Sequence, residues 1–263
     1  MKILVTNDDG IFAPGLRVLA NELKKVAQVV AVAPDREQSA LGTAVTLRQP
    51  LRVQRLRPVV PKVVSYAVEG TPADSVILAL GKLVSGRVDL VVSGINPGPN
   101  LGDNVLISGT VGAALQGYQH GVPSLAVSID GPDERNLRNA AKLAALLAEK
   151  IDSGSLKGDI FLNVNLPDRP LPEIGGIEIT ELADRAYNDT ISEDDDGRRK
   201  YYWLLRDKIK TNANSRADIG AVERGNISVT PLHTDLFRKP LLIPDNLCAE
   251  LFRELSNGAG AKD

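Results

Sequence analysis

Cysteine and histidine are nearly missing from this chain. Cys248 is the only cysteine, and His120 and His233 are the only histidines, in 263 residues. A single cysteine excludes an internal disulfide and a thiolate metal cluster, and a reducing, cytoplasmic setting fits. Two histidines exclude a His-rich metal site or a multi-His relay. Acid–base and metal chemistry must therefore come mainly from carboxylates, amides and hydroxyls. Long apolar runs are also missing, since none approaches the ~18 residues that span a bilayer. Met1-Lys2-Ile3-Leu4-Val5 passes straight into Thr6-Asn7-Asp8-Asp9, with no signal peptide. Charge imbalance is small as well. A net charge of −2 predicts neither a nucleic-acid polymer nor a membrane as partner.

What the chain does have is length enough for a substantial core and an alternation of strand and helix signals. KILVT (2–6) is a short apolar run, after which Leu16, Leu19, Ala20, Leu23 and Val26 recur at helical spacing. QVVAVAP (28–34) reads as a second strand, and TAVTLRQPLRV and KVVSYAVEG as extended segments that could pair. Thr71-Pro72-Ala73-Asp74 opens a helix reaching Val84, with Thr as N-cap, Pro at N1 and Asp reaching back. VDLVVSG (88–94), PSLAVSI (123–129) and DIFLNVNLP (159–167) are further strands. Residues 109–119 look helical, and Leu137, Ala140, Ala141, Ala144 and Ala148 mark another amphipathic helix. Strands separated by helices imply an α/β fold with a doubly wound, mostly parallel sheet. Past Pro170 the pattern becomes β-rich, with SEDDDGRRK as a solvated hairpin tip. PDNLCAELFREL is a terminal helix with Leu247, Leu251, Phe252 and Leu255 on one side, and GAGAKD a frayed tail.

In such sheets the loops at the carboxyl ends of the strands form the ligand crevice. Three polar clusters fall there. Asp8 and Asp9 follow the first strand, and adjacent carboxylates raise each other's pKa unless a cation or donors intervene. Hard oxygen ligands suit Mg²⁺, Mn²⁺ or Ca²⁺, although the pair could instead cap the next helix. Ser39, in APDREQSALG, follows the second strand and could be an ordinary turn serine. Asn96 lies two residues past VDLVVSG, and Asn100, Asp103 and Asn104 add polar groups. Ser108-Gly109-Thr110 then begins a helix whose free N–H groups make an anion site, or a plain Ser cap. Taken together these pieces supply a hard metal beside an anion site, as phosphoryl hydrolysis requires. The metal polarises a phosphate oxygen and acidifies a bound water, while donors stabilise the equatorial oxygens.

At these residues the chain closely resembles the SurE family of metal-dependent nucleoside-monophosphate phosphatases. The likeness runs through ILVTNDDG, AVAPDREQS, EGTPADSVILAL, VVSGINPGPNLGDN, SGTVGAALQG, NVNLP, YYWL and ISVTPLHTDL. The resemblance implies one divalent cation, Mg²⁺ or Mn²⁺, on Asp8, Asp9, Ser39 and Asn96. It implies that Asp8, Asp9 and Asn96 are catalytic, and that Ser108, Gly109 and Thr110 contact the substrate phosphate beside Asn96. It further implies a Rossmann-like core over 1–170, a β-rich excursion over 171–235 with a hairpin around Asp189 to Trp203, and an exchanged C-terminal segment, 236–263. All belong to one domain, 1–263, assembling as a homodimer or homotetramer. Expected substrates are nucleoside 5′-monophosphates, with 3′-monophosphates and short polyphosphate as extensions. Departures from the family pattern fall at Thr43, Asn104, Ile107 and Gln116, where His, Asp, Tyr and Glu are common.

Three rival functions are weaker. A dinucleotide oxidoreductase would carry glycines where Asn7-Asp8-Asp9-Gly10 stands. A metal-dependent nucleoside hydrolase could use the same acidic pair, but would release a free base. A phospho-receiver or non-catalytic binding module would need an Asp acceptor on a central strand, where VDLVVSGIN offers Ser93 and Asn96.

Overall fold

The computed structural model describes residues 1–131, 133–209 and 216–235, together with Leu247, Glu250, Leu251 and Arg253. Among these the chain runs β1 (Lys2–Thr6), α1 (Pro14–Leu23), β2 (Gln28–Pro34), β3 (Val53–Leu56), β4 (Val64–Val68), α2 (Pro72–Leu78) and β5 (Leu90–Asn96). It continues with α3 (Gly109–Gln119), β6 (Ser124–Ile129), α4 (Glu134–Asp152) and β7 (Phe161–Leu166). Beyond these come β8 (Ile177–Ile179), β9 (Tyr187–Asp195), β10 (Lys200–Lys208), α5 (Asp218–Glu223) and β11 (Ile227–Pro231).

Nine strands form one sheet in the order β3-β4-β2-β1-β5-β6-β7-β11-β8. The run from β4 to β7 is parallel, while β3 and β11 pair antiparallel with β4 and β7. This is the expected doubly wound α/β architecture. Alternation along β1 shows why it forms: Ile3 and Val5 face α1 and α4, while Leu4 faces the opposite core with Val76 and Ala113. Both faces of the central strands are thus buried, which is why they read as continuous apolar runs. β1 is the switch point, with β2 on one side and β5 on the other. In such sheets the ligand crevice lies at the carboxyl end of the switch-point strand, here just past Thr6.

Several local details differ from expectation. Only Val53 of the segment 43–53 enters a strand. Thr46 is held instead by Asp74, its N–H to Oδ1 at 2.9 Å and its Oγ1 to Oδ2 at 2.6 Å. Pro50 has no N–H to give a ladder. The helix from Thr71 forms with its capping box, but its last part, Ala79–Leu83, is a π-turn. Strand β5 runs through Asn96 rather than stopping two residues short. A register shift between Gly94 and Asn96 pairs Asn96 with Ser128, and such a shift re-aims the side chain. The excursion after β7 also contains a helix, α5, which buries Ile219, Ala221 and Val222. The charged hairpin is present as β9 and β10, a separate two-stranded antiparallel sheet.

The chain divides into two compact units, Met1–Leu232 and His233–Asp263. In the second, Asp235 N–H donates to His233 Nδ1 at 3.0 Å, and Leu247, Glu250, Leu251 and Arg253 are helical. The rest of the expected terminal helix and tail lies outside the described residues, as does most of segment 236–263. No helix among the described residues is long and apolar enough to cross a membrane.

Candidate functional site

The crevice is built by backbone pins between three loops. Thr6 lies opposite Ser93 in the sheet, so the chains leaving β1 and β5 emerge side by side. Gly10 then turns with φ +100°, and a Cβ there would sit 3.1 Å from the Arg36 backbone. Only glycine fits that crossing. Ile11 N–H donates to the Pro34 carbonyl at 2.8 Å, and Gln38 N–H to the Asp8 carbonyl at 2.7 Å. The loop after β2 is therefore folded over Asp8, with Ser39 one residue further on. The same loop is pinned again where Gly42 N–H donates to the Ile107 carbonyl at 2.8 Å, and where Thr71 Oγ1 donates to the Ala44 carbonyl at 2.7 Å.

Helix α3 begins against Asp8. A Cβ on Gly109 would lie 2.7 Å from Asp8 Cβ, so the missing side chain lets the helix start touch the carboxylate. Thr110 Oγ1 donates to Asp8 Oδ1 at 2.5 Å. Ser108 caps the helix by accepting Val111 N–H at 3.2 Å, which leaves its own hydroxyl proton free for an anion. The structure thus joins Asp8, Ser108, Gly109 and Thr110 directly. Ser39 and Asn96 come alongside through loop pinning and strand register, not through side-chain contact with the acids. Ser39 Oγ donates to Glu37 Oε1 at 2.7 Å. Asn96 Nδ2 donates to the Gly98 carbonyl at 2.5 Å, leaving Oδ1 as the amide's acceptor.

Burial holds the Asp8 carboxyl above its usual range, opposed by the Thr110 hydrogen bond, while the charge of Glu37 pushes the same way as burial. Asp9 is pushed up to about 7, first by burial and then by the charges of Asp8 and Glu37. The charges acting on Asp9, those of Asp8 and Glu37, are both anionic. Asp9 Oδ2 and Asn7 Oδ1 are buried without a hydrogen-bond partner. These orphaned oxygens and uncompensated charges fit a hard cation. No group of three or more His, Cys, Asp and Glu is arranged to hold a metal among the described residues. The expected donor set contains only two such residues, the other donors being a hydroxyl and an amide oxygen. Glu37 was not singled out from the sequence; its place two residues before Ser39, in the same turn, was the available signal.

Fold and site together define a Rossmann-like α/β protein with paired acids at the end of its first strand and an anion-binding helix start against them. Comparison with known proteins narrows this class. The family described as Survival protein SurE matches residues 3–189. A protein of Dehalococcoides mccartyi (strain CBDB1) named 5′-nucleotidase SurE is 53% identical over 243 residues, 92% of each chain. One of the same name from Heliobacterium modesticaldum is 46% identical over 243 residues, 92% of this chain and 89% of that protein. The crystal structure of the SurE protein from Aquifex aeolicus superposes with a TM-score of 0.79 at 35% identity, covering 97% of this chain and 100% of that one. The chain belongs to the SurE family.

Proposed function

We propose that this chain is a 5′-nucleotidase, hydrolysing nucleoside 5′-monophosphates to nucleoside and phosphate with a divalent cation, Mg²⁺ or Mn²⁺. The relatives named as 5′-nucleotidases support the activity over nine-tenths of the chain. The observation that carries the metal dependence is the adjacent pair of buried Asp8 and half-buried Asp9, with no cation among the charges acting on them, abutting a helix N-terminus. Asp8, Asp9, Ser39 and Asn96 would hold the cation through oxygen atoms alone, the donor set a hard ion prefers. When bound, such an ion neutralises the acids, polarises a phosphate oxygen and acidifies the attacking water.

The chain's own groups then divide the remaining work. Gly109 N–H and the Ser108 hydroxyl lie at the positive end of α3 and would bind the phosphate oxygens. Thr110, expected to contact the phosphate, donates its hydroxyl to Asp8 and so orients that carboxylate first. Asn96, at the end of β5, would bridge cation and phosphate through Oδ1 and Nδ2. Charge spreading over the equatorial oxygens in the transition state meets donors already fixed by the fold, which need not reorganise.

A phosphate-release screen tests the reading. Nucleoside 5′- and 3′-monophosphates and short polyphosphate are offered with Mg²⁺, Mn²⁺ or excess chelator. Release from 5′-monophosphates that stops with chelator and returns with metal is expected. Undiminished hydrolysis in chelator would sink the metal assignment, and a free base in place of phosphate would point to a nucleoside hydrolase. The same reading includes a homodimer or homotetramer. The exposed Ile191, Tyr202, Trp203 and Leu204 of the β9–β10 hairpin support it, because such surface is normally covered. Light scattering of the full chain measures the mass.

A further inference from the structure

The β9–β10 hairpin stands apart from the main sheet, but its root is anchored to the loop that leads into α3. Ala186 N–H donates to Asp103 Oδ1 at 2.9 Å, and Arg206 Nη1 donates to Asn104 Oδ1 at 2.6 Å. Arg206 is fixed from two further sides. Its Nε donates to Asp189 Oδ1 at 2.9 Å, and its guanidinium lies 5.0 Å over the Tyr187 ring. In a strand whose side chains are exposed, this one is two-thirds covered, with side-chain exposure of 32%.

Asn104 occupies the short 3₁₀ turn Gly102–Leu106 before the phosphate helix. Its carbonyl accepts the N–H groups of Ile107 and Ser108, both at 3.1 Å. Its Nδ2 donates to Asn100 Oδ1 at 3.3 Å. Asn100 is in turn fastened to the sheet: its N–H donates to Asn165 Oδ1 at 2.8 Å, and its carbonyl accepts Nδ2 of Asn163 at 2.7 Å and of Asn165 at 3.1 Å. Hydrogen bonds thus run without a break from a hairpin arginine through the turn before α3 to strand β7 of the main sheet. Asn104 is the joint, and Ser108 hangs from its carbonyl.

We propose that Arg206 is a positioning residue for the phosphate site, acting through Asn104 to fix the turn that presents Ser108 and Gly109. The inference rests on the phosphate assignment proposed above. An amide suits position 104, because Oδ1 accepts from Arg206 while Nδ2 gives to Asn100. A carboxylate has no N–H for Asn100. Arg206 touches no reacting group, so its loss acts on phosphate orientation whatever the rest of the substrate.

Arg206→Ala and Arg206→Lys are compared with wild type, with Lys200→Ala at the hairpin tip as control. The readouts are kcat/KM for 5′-AMP and for p-nitrophenyl phosphate, competitive inhibition by inorganic phosphate, and amide hydrogen exchange across 104–112. Arg206→Ala is expected to weaken inorganic phosphate by about 10-fold, the scale of supporting residues behind a site, and to lower kcat/KM for both esters alike. Exchange at Ser108 to Val111 rises. Lysine recovers a large part of the loss, and Lys200→Ala changes nothing. A defect confined to 5′-AMP would make Arg206 a nucleoside contact and overturn the proposal. A lower Tm with phosphate inhibition and exchange unchanged would make it a structural brace and overturn it equally. Absence of phosphate release by the wild type would refute the proposed function, while the exchange comparison would still decide the coupling.

Discussion

Two buried polar clusters share one edge of the sheet, and they are treated in opposite ways. At Asn100 the backbone N–H, the carbonyl, Nδ2 and Oδ1 are all paired, to Asn165, Asn163, Ser128 and Asn104. Asn163 Oδ1 is the exception in that group. At the acidic pair, Asp9 Oδ2 and Asn7 Oδ1 have no partner, and Asp9 is pushed up to about 7. Amides carry both a donor and an acceptor, so a cluster of them can satisfy itself. Carboxylates only accept, so two of them together need something from outside. The paired cluster holds the loop after β5; the acidic one, where Thr110 donates to Asp8 Oδ1, still leaves acceptors over.

The largest test of this contrast is Asp9→Asn. Phosphate release is expected to fall by at least about 10²-fold, since a cation's share of transition-state stabilisation is several kcal/mol. Cation-free stability at neutral pH is expected to hold or rise, because a buried charge has been removed. Wild-type turnover in saturating Mg²⁺ or Mn²⁺ would erase the distinction between the clusters. Next comes Asn100→Ala, which takes the side-chain partners from Ser128 Oγ and Asn104 Nδ2 while the backbone bonds to Asn163 and Asn165 remain. A loss on the order of 1–3 kcal/mol is expected, read as Tm or denaturant midpoint. A cost under about 1 kcal/mol would show that the amide cluster is not structural in this sense.

The smallest effect is in the pH dependence of the cation-free protein. Asp9 titrates at about 7 when folded, against 3.8 for the free side chain. Between those values the folded state holds more protons than the unfolded one, so stability is greatest below the lower value and declines as pH rises to the upper. Wild type should lose on the order of 1–2 kcal/mol more than Asp9→Asn between pH 4 and 7.5, a few degrees in Tm. Mg²⁺ should restore that difference at pH 7.5 and do little at pH 5. Parallel pH curves for the two proteins would remove the strain assigned to Asp9.

The core was legible because burial writes itself locally. Runs such as QVVAVAP and the spacing of Leu16, Leu19, Ala20 and Leu23 follow from which face is covered. The acidic turn and the Ser108 helix start were equally local. What escaped was held by contacts distant in sequence. Asp74 captures Thr46 across 28 residues, which removed the strand expected at 43–53. Asn100 and Asn165 meet across 65 residues, and Arg206 and Asn104 across 102. One cue was there: Asn163 and Asn165 alternate on one face of an otherwise apolar strand, and such polar residues need partners. Helix α5 is only six residues long, too short to leave a periodic signature.

The loop over Asp8 is tethered by Gln38 N–H, Gly42 N–H and the Ala44 carbonyl, all main-chain atoms. A side-chain change at Thr43 leaves those tethers in place, whereas Gly42, at φ +55° with the Leu106 carbonyl oxygen 2.8 Å from where a Cβ would lie, admits none. Thr43 sits between two of those tethers, and Ile107 supplies only its carbonyl to one. Side-chain changes at those two positions therefore leave the pinning of the loop over Asp8 untouched.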